Sequence, residues 1–350
     1  MNWLLVLVPA TVAVRYLWPE SQTLIFLLAC GAVLPLAAWL GHATEHLADR
    51  TSEAAGGLLN ATFGNAAELI IALVALRAGL YEVVKASITG SIIGNILLVL
   101  GAAMVAGGVR HETQRFNVLA ARTQTTSLSL AAIALIAPAL FHYLAKDVAR
   151  DRDLSVEISV VLLISYGLSL LFSLHTHKGH LGGGDHGRKH LEDGWSVRKS
   201  VAVLLAATGL IAWISEILVG AVEHAADAFG MTPVFVGVIV VAVVGNAAEH
   251  SSAIVAAYKN RMDLAVAIAA GSSQQVALFV APVLVLASYW LAPAPLDLVF
   301  TPAEVMAVAL SVFILVQVAS DGESNWYEGA QLLAVYLILA FVFYLLPAAP

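Results

Sequence analysis

Five residues, Gly64-Asn65-Ala66-Ala67-Glu68, recur without change as Gly245-Asn246-Ala247-Ala248-Glu249, 181 residues later. Each copy lies in an otherwise apolar stretch long enough to cross a membrane. A carboxylate at membrane depth is costly and by default marks a functional site. On a helix, positions three apart share a face, so each motif turns one carboxylate and one amide oxygen to the same side. Gly64 and Gly245 let the helix loosen there, which releases backbone carbonyls as further ligands. The alanines permit close helix approach, and Asn and Glu can also serve as polar contacts between packed helices. Two copies in matching contexts point instead to one site built from two halves.

The duplication extends beyond the motif. Residues 64–99 align with 245–280 without a gap, with 13 of 36 positions identical. Apolar matches arise easily from composition, but the polar matches do not: Asn65 with Asn246, Glu68 with Glu249, Ser91 with Ser272, and acidic Glu82 with Asp263. A second echo sets Glu45-His46 against Glu223-His224, offset by three residues from the first.

Together these residues form an oxygen-only donor set. Glu68 and Glu249 bring two negative charges, Asn65 and Asn246 bring amides, the paired Gly-Ser motifs add hydroxyls from Ser91, Ser272 and Ser273, and Asn95, Gln274 and Gln275 offer further amides. Two carboxylates neutralise a divalent cation, and calcium takes roughly 6–8 oxygen ligands in irregular geometry. Softer metals would call for Cys, Met or His around the motifs. Without a cation, two buried carboxylates are costly to keep ionised, so protons compete for the same oxygens. That competition is the physical basis of a cation/proton antiporter. His250 points off the Asn246–Glu249 face and reads as a packing or helix-end residue.

The elements that must position this set are membrane helices. The chain is 60% hydrophobic and 12% charged, with mean hydropathy +0.87. So few charges could not cover a soluble domain of 350 residues. No basic patch suits nucleic acid, and the lone Cys30 excludes a disulfide framework. No cleavable targeting peptide is evident. Apolar runs give an all-α polytopic membrane protein with eleven candidate spans: roughly 2–18, 22–47, 57–79, 83–107, 117–143, 155–174, 200–222, 233–257, 263–291, 302–319 and 327–346. With the N-terminus cytoplasmic, eleven Lys and Arg fall at cytoplasmic ends and six at the opposite ends. The motifs lie five spans apart. An odd number inverts the second copy, as in many secondary transporters with a midplane site. The expected organisation is an N-terminal helix (1–20), a first five-helix repeat (21–174), a His-rich cytoplasmic linker (175–199) and a second repeat (200–350).

At these residues the chain resembles the calcium/proton exchangers, the CAX family of the cation/calcium exchanger superfamily. The segments that carry the resemblance are Gly56–Glu68 and Val244–His250, with Tyr258–Asp263, Gly271–Phe279 and Asp321-Gly322-x-Ser324-Asn325-Trp326. It spans about Pro35 to about Tyr344 and is most specific in the two repeat cores. The resemblance implies eleven helices, one N-terminal helix preceding two inverted five-helix repeats. It implies that Glu68 and Glu249 bind calcium directly, helped by Asn65 and Asn246, with Ser91, Ser272 and Gln275 close by. It also implies that the second and seventh helices slide to switch access. Family members often carry an acidic helix between the halves; here 175–193 holds five histidines against three acids. The short N-terminus points to a prokaryotic plasma membrane. Calcium and protons are then substrates, lipid is the partner, and neither a resident cofactor nor an enzyme activity is implied.

Other polar residues carry secondary expectations. Glu45, Glu216 and Glu223, on or near spans two and seven, form a candidate access path for cation and protons. Asp49 and Asp227 read as helix-end charges facing water. His42-Ala43-Thr44-Glu45-His46 matches an inverted zinc-protease pattern, the best rival from another class, although a third ligand is lacking. The nearest rival in class is a sodium-coupled calcium exchanger. The His-rich loop reads as a flexible solvated segment, with loose metal binding or pH sensing as the alternative.

Overall fold

The computed structural model describes residues 2–51, 53–176 and 195–347. It is a bundle of helices with one minimal sheet. In chain order the helices are α1 (Trp3–Leu17), α2 (Gln22–Ala48), α3 (Glu53–Phe63), α4 (Ala66–Arg77), α5 (Tyr81–Gly108), α6 (Val118–Ala145) and α7 (Val148–His175). After the linker come α8 (Val197–Phe229), α9 (Pro233–Gly245), α10 (Ala247–Tyr258), α11 (Met262–Leu291), α12 (Pro302–Val318) and α13 (Trp326–Leu345). Among the described residues, seven of these are long and apolar enough to cross a membrane, or eight if the bent pair α9–α10 is one span. This differs from eleven for identifiable reasons. Helices α1 and α12 are shorter, and the third expected span is split into α3 and α4 at Gly64–Asn65.

Local chemistry explains where the helices start and stop. Asn117, Asp147, Ser196 and Thr232 each cap the helix that follows with a side-chain oxygen. Thr301 and Glu304 form a reciprocal capping box on α12 with Pro302 as the first helical residue. Helix α8 ends at Gly230 in the left-handed region (φ +63°). The Asp321–Trp326 motif is structural on this showing. Gly322 turns the chain at φ +76°, Ser324 and Glu323 pair antiparallel with Gln114 and Arg115 in a two-stranded sheet, and Asn325 caps α13 through Tyr327 and Glu328.

Two apolar cores run through the bundle. One joins α1, α2 and α8 with parts of α4 and α9 through residues such as Ile25, Leu36, Ile211 and Val222. The other packs α5, α6, α10, α11, α12 and α13 around Ile92, Ile96, Met104, Leu278 and Leu284. Small residues set the closest crossings. A Cβ at Gly329 of α13 would sit 2.6 Å from the Gly101 carbonyl of α5, and one at Gly101 would sit 2.9 Å from the Gly329 carbonyl.

Helices α5, α9 and α11 each contain a turn of π-helix: Gly94–Val99, Val236–Val241 and Val276–Val280. The first and third overlap under the 181-residue repeat. Each directly follows the stretch that carries the Gly-Ser pair. Such turns concentrate at functional sites because they re-aim side chains without ending the helix.

The crossing of α5 and α13 gives a direct test. Gly329→Ala places a methyl against backbone that cannot retreat, so it is expected to cost about 1–3 kcal/mol. Gly209→Ala on α8 meets open space and is expected to leave stability unchanged or raise it by up to ~1 kcal/mol. Thermal unfolding of the purified variants in detergent reads the difference.

Candidate functional site

Both repeated motifs sit at a break in a helix. The first lies between α3 and α4, with Asn65 at φ −101°, ψ 27°. The second lies between α9 and α10, with Asn246 at φ −90°, ψ 3° and a 62° bend between the two helices. Each asparagine occupies the position before a helix, where its side chain would ordinarily cap the first turn. Neither does so. Their side chains reach across the two halves of the protein instead.

The amides form a closed network. Asn65 Nδ2 donates to Gln275 Oε1 at 2.6 Å, and Ser272 Oγ donates to Asn65 Oδ1 at 2.8 Å. Asn246 Nδ2 donates to Ser91 Oγ at 3.0 Å and to the Ala242 carbonyl at 2.9 Å. Asn95 Nδ2 reaches Ser272 Oγ at 3.0 Å and Asn246 Oδ1 at 3.4 Å. Each motif's asparagine is thus tied to the Gly-Ser helix of the other half: Asn65 to α11, Asn246 to α5.

The carboxylates are exchanged in the same way. A Cβ at Gly245 would lie 3.0 Å from Glu68 Cγ and 3.8 Å from its Oε1. A Cβ at Gly64 would lie 3.3 Å from Gln275 Oε1 and 3.8 Å from Glu249 Oε1. Each glutamate therefore lies against the other motif's glycine. At Gly245 the glycine leaves room for Glu68, and at Gly64 it avoids the Asn60 carbonyl, 2.7 Å from where a Cβ would lie, as well as Gln275. Glu68 Oε1 and Glu249 Oε2 are buried with no hydrogen-bond partner among the described residues. Such oxygens stay costly until a cation or a proton meets them.

A cavity of about 520 Å³ leads to this centre. Its walls come from the end of α2 (His42, Thr44, Glu45), from Asn60 of α3, and from α10 and α11. Glu249, Gly64, Gly245, Ser272 and Gln275 also line it. Two helix crossings related by the sequence repeat differ in their packing. Gly90 of α5 is jammed against α9, where a Cβ would fall 2.1 Å from the Val238 carbonyl, and Gly237 of α9 is jammed against Ala86. The repeat-equivalent Gly271 of α11 has only Gln124 Nε2 near it, at 3.6 Å, and lines the cavity. One of two equivalent helix crossings is closed and the other is open.

The expected site residues therefore separate into groups. Glu68, Glu249, Asn65, Asn246, Ser91, Ser272 and Gln275 come together. Ser273 turns away to the Ala269 and Ile92 carbonyls, and Gln274 donates to Ser169. Of the access-path residues, Glu45 lines the cavity, while Glu216 and Glu223 do not. They fall seven apart on the exposed face of α8, with Trp213 and Asp227, while the other face packs on α2. Glu216 lies 3.7 Å from Arg77. The zinc pattern also fails to converge. His42 and Glu45 are exposed and 3.7 Å apart, and His46 stacks on Trp195 with ring centres 4.9 Å apart. No group of three or more His, Cys, Asp or Glu among the described residues is placed to hold a metal. Most of the His-rich segment, 177–194, lies outside the described residues. Asn95 is more central than its sequence suggests. Its repeat counterpart is Val276, so aligning the halves hides it. Asn60, Ser251 and Ser252 line the cavity and carried no repeat signal.

Comparison with known proteins gives a consistent set of matches. The family model described as sodium/calcium exchanger protein matches residues 21–175 and 199–345. The chain is 44% identical to a Ca(2+)/H(+) antiporter of Aphanothece halophytica, over 99% of this chain and 96% of that protein. It is also 44% identical to the Ca(2+)/H(+) antiporter ChaA of Bacillus subtilis, over 94% of this chain and 93% of that protein. The structure of native YfkE superposes with a TM-score of 0.84 at 42% identity, covering 97% of each chain. The H+/Ca2+ exchanger CAX superposes at 0.70 with 15% identity, a likeness of fold alone.

Gly245→Ala tests the exchange of carboxylates. The new methyl would displace Glu68 at 3.0 Å while the α9–α10 break stays intact. Transport is expected to fall at least ~10-fold with folding retained. Vesicle flux alongside size-exclusion behaviour reads both.

Proposed function

The chain belongs to the sodium/calcium exchanger protein family and is a calcium/proton exchanger within it, a multi-pass integral membrane protein, and from that premise we propose that Glu68 and Glu249 form one membrane-embedded site that carries either calcium or protons. The observation that carries this reading is the reciprocal placement of each glutamate against the other motif's glycine. Asn65, Asn246, Ser91, Ser272, Gln275 and Asn95 supply neutral oxygens and orient one another. Calcium satisfies the two carboxylates together. When it leaves, protons do. Because the two occupants exclude each other, a proton gradient can drive calcium the opposite way.

Access alternates between the two sides. In the conformation described here the α5–α9 crossing is closed and the cavity between α3, α10 and α11 is open. The opposite conformation closes α3 against α11 and separates α5 from α9. Glu45 stands at the cavity mouth as an entry residue. The organisation that supports this is one N-terminal helix and two inverted five-helix repeats, eleven spans in all, with 1–20, 21–174, 175–199 and 200–350 as the divisions. The N-terminus and the cavity then face the cytoplasm of a prokaryotic cell, at its plasma membrane. The motif breaks and the matched π-helical turns support the repeat.

A sodium-coupled exchanger is the weaker reading. Sodium-calcium exchanger structures share the fold at a TM-score of 0.53 and 18% identity, whereas the relatives at 44% identity are calcium/proton antiporters. Proteoliposomes decide between them. A proton gradient without sodium is expected to drive calcium uptake, and raising the pH on the cavity side to lower the half-saturating calcium. Glu68→Gln and Glu249→Gln are each expected to abolish exchange, at least ~100-fold, with near-normal expression. Retained proton-driven uptake in both variants would overturn the site.

A further inference from the structure

Helix α5 carries Ser91 and Asn95 into the site. Its other end carries a polar stripe at one-turn spacing: Tyr81, Lys85 and Thr89. All three meet the second half of the chain in one short stretch. The Tyr81 hydroxyl donates to the Ala294 carbonyl at 2.9 Å and accepts from the Ala294 amide at 2.7 Å. Lys85 Nζ pairs with Asp297 and donates to the Val299 carbonyl at 2.8 Å. Thr89 Oγ1 lies 3.4 Å from Glu304 Oε1, and Glu304 Oε2 accepts from the Thr301 amide and hydroxyl at 2.9 and 2.7 Å. Lys85 is also within electrostatic reach of Glu304. Thr89 and Glu304 are buried, and Lys85 and Asp297 are largely so.

The repeat gives no reason for these residues. The counterparts of Tyr81, Lys85 and Thr89 are Met262, Val266 and Ala270, so α11 has no matching stripe. The second half therefore holds α5 by charge and hydrogen bonds, and does so away from the cavity. Breaking a largely buried ion pair leaves an uncompensated charge, so this contact resists change more than apolar helix faces that slide.

We propose that Tyr81, Lys85 and Asp297 are positioning residues that brace α5 against the α11–α12 connection as a fixed wall, holding Ser91 and Asn95 in register while access changes elsewhere. The proposal rests on the site assigned above. It implies that α9 leaves α5 when the closed crossing opens, and that α5 does not leave the 292–301 segment.

A covalent substitute for the ion pair tests it. Cys30 is the only native cysteine and is buried, so Lys85→Cys/Asp297→Cys can be joined by a short bifunctional methanethiosulfonate. Without reagent, the half-saturating calcium is expected to rise at least ~5-fold in proteoliposomes, with the maximal rate less affected. Cross-linking is expected to restore it, and Lys85→Arg to retain most of the native value. Should the double variant not fold, Tyr81→Phe, which removes one hydroxyl, is expected to raise it ~2-fold. Transport abolished by the cross-link would make the contact a gate that must open, and overturn the brace. Native half-saturating calcium in the folded double variant or in folded Tyr81→Phe would overturn it as well. The site stands or falls separately, with Glu68→Gln and Glu249→Gln.

Discussion

Two carboxylates set against each other inside an apolar bundle cannot both remain charged and unpaired, because desolvation and mutual repulsion act together. Every other feature near the centre follows from that constraint. The opposing glycines make room for the carboxylates. The asparagines give up helix capping to build a neutral amide network around them. Unpartnered oxygens on Glu68 and Glu249 mark where the balancing charge must arrive. On the proposed reading calcium and protons each supply that charge and exclude each other, so the geometry that creates the cost would also couple the two ions.

The breaks at the motifs reconcile this polar centre with a membrane. Irregular backbone is tolerated at membrane depth only where protein or a water-filled cavity surrounds it. Here the breaks lie beside Ser91, Ser272 and Gln275 and open onto the cavity. The π-helical turns in α5 and α11 follow in matching positions, so both Gly-Ser helices carry a local distortion beside the site. The halves differ where access requires it. Gly90 is pressed onto α9, whereas a Cβ at Gly271 would make only an ordinary contact with Gln124 Nε2 at 3.6 Å. Two equivalent crossings in unequal states are what the proposed inverted repeat would provide, since a two-fold rotation exchanges the closed side with the open one.

Much of the site was legible in the sequence because the repeat duplicated it. Glu68, Glu249, Asn65, Asn246, Ser91 and Ser272 were all named by matching polar letters in apolar surroundings. Gln275 was named as a further amide and by the family resemblance, and it accepts a hydrogen bond from Asn65. Residues without a counterpart were harder to see. Asn95 faces Val276 in the alignment, so the repeat gave it no weight beyond a further polar group, and Lys85 faces Val266 and was not singled out at all. Glu216 and Glu223 were named because an acid in an apolar run reads as functional; helical phase places both on the exposed face of α8, outside the cavity.

The sequence by itself determined the membrane class, the helical runs, the duplicated chemistry and the oxygen-only donor set. These depend on composition, periodicity and residue type, which are local properties. Only the tertiary structure decided that each carboxylate sits against the other motif's glycine, that Asn95 joins the network, and that α5–α9 is closed while α11 lines a cavity. Those facts depend on how helices far apart in the chain cross. Two equivalent crossings drawn from one repeat can adopt unequal states, and no pattern along the chain records which one is open.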